Sequence, residues 1–201
     1  DCIRDSPWRE GKVHILKMME GQIVTEDVRE EVGYTEEKGR KVFKPDGTYQ
    51  KIAAVERHKN TGKIGVGIVK GFGLRGGAIA SSVSHDSHNL IVIGDNDHDM
   101  YLAVQELLRT QGGYTLVENG QVFDTLPLPI MGLMSDAGYE KVNEKLARMI
   151  SKAHEMGIPE GFDPFITLSF MALPVIPEIR ITPRGVYLTQ EDRMIQSPFD
   201  R

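Results

Sequence analysis

The sequence predicts an α+β domain built on a mixed β-sheet with packed helices. Three observations carry this. Short apolar runs such as Leu90 to Ile93 read as buried strands. Two long amphipathic patterns, from Asp97 and from Ala137, read as helices. Strands and helices alternate only in part, which disfavours a doubly wound sheet.

Taken in order, Val13 to Met19 reads as a strand and Gly21 to Val32 as a strand leading into a short helix. Thr35 to Gln50 reads as a polar connector. Its charged run Glu36-Glu37-Lys38 suits a solvated face, and Pro45-Asp46-Gly47 is a turn signal. A soft boundary falls there, giving residues 1–50 as a leading segment and connector and 51–201 as the main domain. Ile52 to Arg57 is the next strand. Ile64, Val66 and Ile68 alternate with Gly65 and Gly67, a period of two with room for a close neighbour. Ala78 to Val83 and Leu90 to Ile93 complete the central set.

Met100, Ala103, Val104, Leu107 and Leu108 share one face of a helix over 97–110 that packs on the sheet. Asn96 is placed to cap it and Gly112-Gly113 to end it. Tyr114 to Val117 and Gln121 to Phe123 flank Asn119-Gly120, a hairpin signal. A second helix spans 137–155, capped by Ser135 or Asp136 and stopped by Gly157 and Pro159. Tyr139, Val142, Leu146, Met149, Ile150 and Ala153 form its buried face. Phe165 to Leu173 is a short buried helix or a strand. Ile179 to Ile181 and Val186 to Leu188 are late strands.

At 201 residues the chain is long enough to fold without disulfides or a structural metal. Its single cysteine, Cys2, excludes an internal disulfide and suggests a reducing compartment, the cytoplasm. A net charge of −5 argues against a nucleic-acid partner, and no apolar run is long enough to cross a membrane. No signal peptide is visible. The start at Asp1 rather than methionine suggests a cut from a longer polypeptide.

The candidate chemistry gathers in Ser82 to Asn89, which packs His85, His88, Asp86, three serines and an amide against a buried strand. Polar clusters so placed need partners or serve chemistry. The bland alternative is a turn whose Asp86, Ser87 and Asn89 bond their own backbone. His85 and His88 could ligate a metal, but the spacing is not the i, i+4 pattern that puts two rings on one helical face. Glu56-Arg57-His58 ends a strand and forms a second polar cluster, or a plain surface triplet. Gly71-Phe72-Gly73-Leu74-Arg75-Gly76 matches a dinucleotide fingerprint in letters, yet a strand rather than a helix follows it; its glycines suit positive-φ turns. Asp95 to Asp99 lacks the glycine and distal glutamate of a calcium loop and reads as helix capping. No nucleophile elbow appears.

Val55-Glu56-Arg57-His58, Thr61 to Gly67, Gly71 to Leu74, Gly77 to Ser82 and His85 to Asn89 together resemble the C-terminal domain of bacterial adenine deaminases, in the amidohydrolase superfamily. Leu126 to Ile130, Gly132 to Asp136, Asp163-Pro164-Phe165, Thr167 to Phe170 and Ala172 to Glu178 extend the likeness to about residues 52–185. Gly21 to Glu26 looks like the segment that follows the barrel in that family. The resemblance implies hydrolysis of adenine to hypoxanthine and ammonia, with a divalent metal (Mn or Fe) held by a separate catalytic barrel. No His-x-His pair, which opens that metal site, occurs here. The chain is also too short for a (β/α)₈ barrel of about 250 residues plus this domain. The expectation is therefore a C-terminal domain lacking the TIM barrel, with no metal or cofactor of its own. Adenine, the barrel and further copies of the chain would be its partners. His85, Asp86 and His88 would complete the catalytic site, with Ser84, Asn89, Glu56 and Arg57 binding substrate. The alternative is a stand-alone binding or oligomerisation module descended from that domain.

Overall fold

The computed structural model describes residues 8–200. Cys2, and with it any role for that thiol, lies outside the described residues. One eight-stranded sheet organises the chain. Its strands are β1 (Val13–Met18), β2 (Thr25–Glu30), β5 (Tyr49–Val55), β6 (Ile64–Lys70), β7 (Gly77–Ser81), β8 (Leu90–Gly94), β9 (Gly113–Glu118) and β10 (Gln121–Pro127). They lie in the order β10-β9-β7-β8-β5-β6-β1-β2. Every neighbouring pair is antiparallel except β1 with β6. With the helices α1 (Asp97–Arg109), α2 (Tyr139–Glu155) and α3 (Pro164–Phe170), this is an α+β fold with a mixed sheet that does not close into a barrel.

The strand pleat divides the core. Ala53, Ala78, Ala80 and Val92 point to one face and meet Met100, Ala103 and Leu107 of α1. Small side chains on the sheet let the helix approach, and each fully buried Met or Leu contributes about 1.5–3 kcal/mol. Ile52, Ala54, Ile79, Ile91 and Leu116 point the other way. They meet Met149 and Ala153 of α2, Phe165 and Leu168 of α3, and a small sheet of β11 (Ile179–Thr182), β12 (Gly185–Leu188) and β13 (Arg193–Ile195). The glycines of β6 make that second packing possible. A Cβ on Gly65 would collide with the Thr182 carbonyl oxygen.

Local signals explain the helix ends. The Asn96 side chain accepts from the Asp99 amide. Asp163 caps α3 through the Phe165 and Ile166 amides, with Pro164 at the first helical position. Asn119 and Gly120 both take positive φ, closing β9 onto β10 through a two-residue turn. Gly71, Gly73 and Gly76 take positive φ between β6 and β7.

Several expectations are corrected. Residues 21–32 contain β2 and no helix. The stretch read as a polar connector folds into a hairpin, β3 (Tyr34–Glu37) with β4 (Arg40–Phe43), because Val42 and Phe43 find a buried site that the surrounding charges obscure. Leu108 is 59% exposed; it follows Leu107 by about 100° and leaves the buried stripe. Neither Ser135 nor Asp136 caps α2, which starts after Gly138 without a side-chain cap, and Tyr139 points to solvent. β10 runs on to Pro127 through a bulge near Phe123.

Candidate functional site

β5, β7 and β10 end, and β6, β8 and β9 begin, at one end of the sheet. The segment Ser82 to Asn89 crosses this end between β7 and β8. Two fixings hold it. Ser82 Oγ donates to the Gly132 carbonyl at 2.6 Å and accepts from the Gly113 amide at 2.8 Å. The His88 amide donates to the Ser84 carbonyl at 2.6 Å, with His88 at a φ of 48°.

Arg57, just past β5, clamps the segment from outside. Its Nε donates to the His88 carbonyl at 2.7 Å and its Nη2 to the Met131 carbonyl at 2.6 Å. Its amide donates to Asn89 Oδ1 at 3.3 Å. Burial pushes the guanidinium pKa down. Arg57 and Asn89 are thus tied to the turn itself. Glu56 is tied more fully: its carboxylate accepts from the His58, Lys59 and Thr61 amides and from Thr61 Oγ1. Led by the Thr61 amide, these bonds hold its pKa down to about 2. His58 Nε2 then bonds the Ser87 carbonyl at 2.7 Å, joining the two turns.

The remaining groups are differently placed. Asp86 stands in solvent, its side chain 84% exposed, 3.6 Å from His85 Nδ1. The His85 ring stacks on Phe170 of α3 at 4.9 Å and lies edge-on to His88 at 6.1 Å. The His85 amide donates to the Ser169 carbonyl, so α3 and the turn form one wall. Burial first, then the neighbouring His85 charge, lowers the His88 pKa. Five buried side-chain atoms among the described residues make no hydrogen bond, and three are here: Ser84 Oγ, His88 Nδ1 and Ser169 Oγ. Each such atom carries a desolvation cost that a fully built turn would have removed.

Sequence reasoning misses Ser169 and Phe170 as site residues, because 165–173 reads as a plain apolar run. A signal is present: Asp163-Pro164 fixes a helix start, and Ser169 then falls on the same face as Phe165. His85, Asp86 and His88 do not converge as ligands. Among the described residues no group of three His, Cys, Asp or Glu side chains is placed to hold a metal ion. A Mn or Fe centre therefore does not fit this cluster.

Comparison with known proteins accords with this architecture. The family described as adenine deaminase C-terminal domain matches residues 22–193. An adenine deaminase of Desulfitobacterium hafniense is 53% identical over 182 residues, covering 90% of this chain and 31% of that protein. Adenine deaminases of Halalkalibacterium halodurans and Bacillus subtilis are 45% and 43% identical, over 88% and 89% of this chain and 30% of each protein. The chain thus spans about a third of the length of the curated relatives it matches. The chain belongs to the adenine deaminase C-terminal domain family.

Proposed function

We propose that this chain serves the hydrolytic deamination of adenine to hypoxanthine and ammonia, as the domain that joins a metal-bearing catalytic barrel. The clustering of Ser84 Oγ, His88 Nδ1 and Ser169 Oγ, buried without partners, carries the proposal. A purine offers ring nitrogens and an exocyclic amine that such groups can bond. The His85 ring, stacked on Phe170 and partly exposed, offers an aromatic face to a base. His88, kept neutral near pH 7 by its surroundings, can take or return a proton. Asp86, exposed here, can accept from the amine once the barrel covers it. Arg57, Asn89 and Glu56 hold the turn rather than the substrate.

The metal, Mn or Fe by the family resemblance, belongs to the barrel. A cytoplasmic role in purine salvage, in a homo-oligomer, completes the reading.

The test is ammonia release from adenine by three proteins in the presence of Mn²⁺: the chain fused to its barrel, the barrel alone and the chain alone. Only the fusion is expected to turn over at full rate. A barrel that works equally well without this chain would show that the turn takes no part.

A further inference from the structure

A second feature opens at the same end of the sheet, beside the candidate turn. It is a cleft of about 400 Å³ between residues 56–63, Ser87 and Asn89, and the β11–β12 turn. His58, Lys59, Lys63 and Arg184 line it. The charged ends of Lys59, Lys63 and Arg184 make no ion pair among the described residues. The one carboxylate present, Glu56, already accepts four hydrogen bonds. A protein of net charge −5 thus concentrates three permanent cations and an imidazole in one concavity.

Both backbone walls are fixed in advance. Glu56 ties down residues 58–61. Thr182 Oγ1 accepts from the Arg184 amide at 3.1 Å and donates to the Gly185 carbonyl at 3.0 Å. Gly65 lets that turn lie directly on β6. Pro183 and Met194 add an apolar surface beside the cations. Neutral adenine has no use for three cations; a phosphate monoester does.

We infer that this cleft binds a nucleoside monophosphate, its phosphate held by Lys59, Lys63 and Arg184 and its base lying on Pro183 and Met194. The volume lies within the range of about 300–1,000 Å³ typical of small-ligand sites. The fixed backbone of both walls and the three cations suit a small anion. Ser87 and Asn89 line the cleft, and His58 bonds the Ser87 carbonyl, so an occupant touches the candidate turn. Binding here is independent of whether that turn meets adenine.

The experiment is calorimetric titration of the 201-residue chain with AMP, inorganic phosphate and adenosine, with amide chemical shifts of Ser87 and Asn89 followed by NMR. AMP should bind, phosphate should bind more weakly and compete, and adenosine should not bind measurably. The double variant Lys63→Ala/Arg184→Ala should weaken AMP by about tenfold or more, while Lys63→Arg retains most of it. The Ser87 and Asn89 amides should shift on saturation. Adenosine binding as well as AMP, AMP affinity untouched by the double variant, or no binding of AMP or phosphate would each overturn the inference. So would a double variant that binds AMP normally but loses affinity for the separately produced barrel, which would make the cleft a docking surface.

Discussion

The turns after β5 and β7 leave the same end of the sheet, and each crowds ionisable side chains into a short polar segment. In Glu56 to Lys63 the carboxylate takes four donors, and a pKa of about 2 records how well it is served. In Ser82 to Asn89 the segment is equally well anchored, through Ser82 and Arg57, yet Ser84 Oγ and His88 Nδ1 are buried and unserved. Sequence makes the two turns look alike. Their hydrogen bonding differs: in the first the Glu56 carboxylate turns onto its own backbone, while the second leaves Ser84 Oγ and His88 Nδ1 unbonded at a desolvation cost.

The sharpest way to break that contrast is kinetic. In the fused enzyme, His88→Gln should lower kcat/KM by about 10²–10⁴-fold, the usual effect of losing a general acid or base. His85→Asn and Asp86→Asn, which remove a stacking ring and a hydrogen-bond acceptor, should lower it by less. Melting temperature and metal content should stay near those of the parent. Glu56→Gln should do the reverse, lowering the melting temperature while turnover per folded molecule holds. If the histidine variants lose stability and keep activity, the second turn is also a brace.

A smaller effect sharpens the contrast from the stability side. Removing a buried hydroxyl that bonds nothing removes a desolvation penalty. Ser84→Ala and Ser169→Ala should therefore stabilise the isolated chain, by about 1 kcal/mol each. Urea unfolding measures this directly. A loss of stability in both would mean that these hydroxyls do find partners in the folded chain.

How much of this is legible in the sequence depends on whether the signal is local. α1 is legible because its stripe and the Asn96 cap lie within one segment. The packing of β11 and β12 on β6 is legible in outline, since glycines alternating with isoleucine and valine leave room for a neighbour. The polar turn stands out because it abuts Leu90 to Ile93. What stays hidden is tertiary. Nothing in the sequence near His85 says that Phe170 stacks on it or that Ser169 shares its wall. These residues meet only because α3 folds back over the strand ends, where the His85 amide donates to the Ser169 carbonyl. The β3–β4 hairpin is hidden for a related reason: Val42 and Phe43 are two apolar residues among charges, and only their burial reveals the strand.

The smallest effect lies in acid titration, where the two turns should lose stability in separate windows. His88 has a pKa lowered below its ordinary 6.5, chiefly by burial. The unfolded chain therefore takes up that proton first. The contribution from keeping His88 neutral is complete above about pH 6.5 and is lost as the pH falls toward the folded value. Glu56 is also lowered, from 4.5 to about 2. Its contribution is complete above about pH 4.5 and is lost as the pH falls toward 2. Urea midpoints from about pH 8 to about pH 3 for the parent, His88→Gln and Glu56→Gln should separate the two. Relative to the parent, His88→Gln should gain stability as the pH drops below about 6.5, because it has no imidazole to charge. Glu56→Gln should start at a disadvantage that stays constant down to about pH 4.5 and narrows below it. A His88→Gln curve parallel to the parent throughout would mean that the imidazole titrates alike in the folded and unfolded chain. The buried, unserved nitrogen that distinguishes the second turn from the first would then have no energetic consequence.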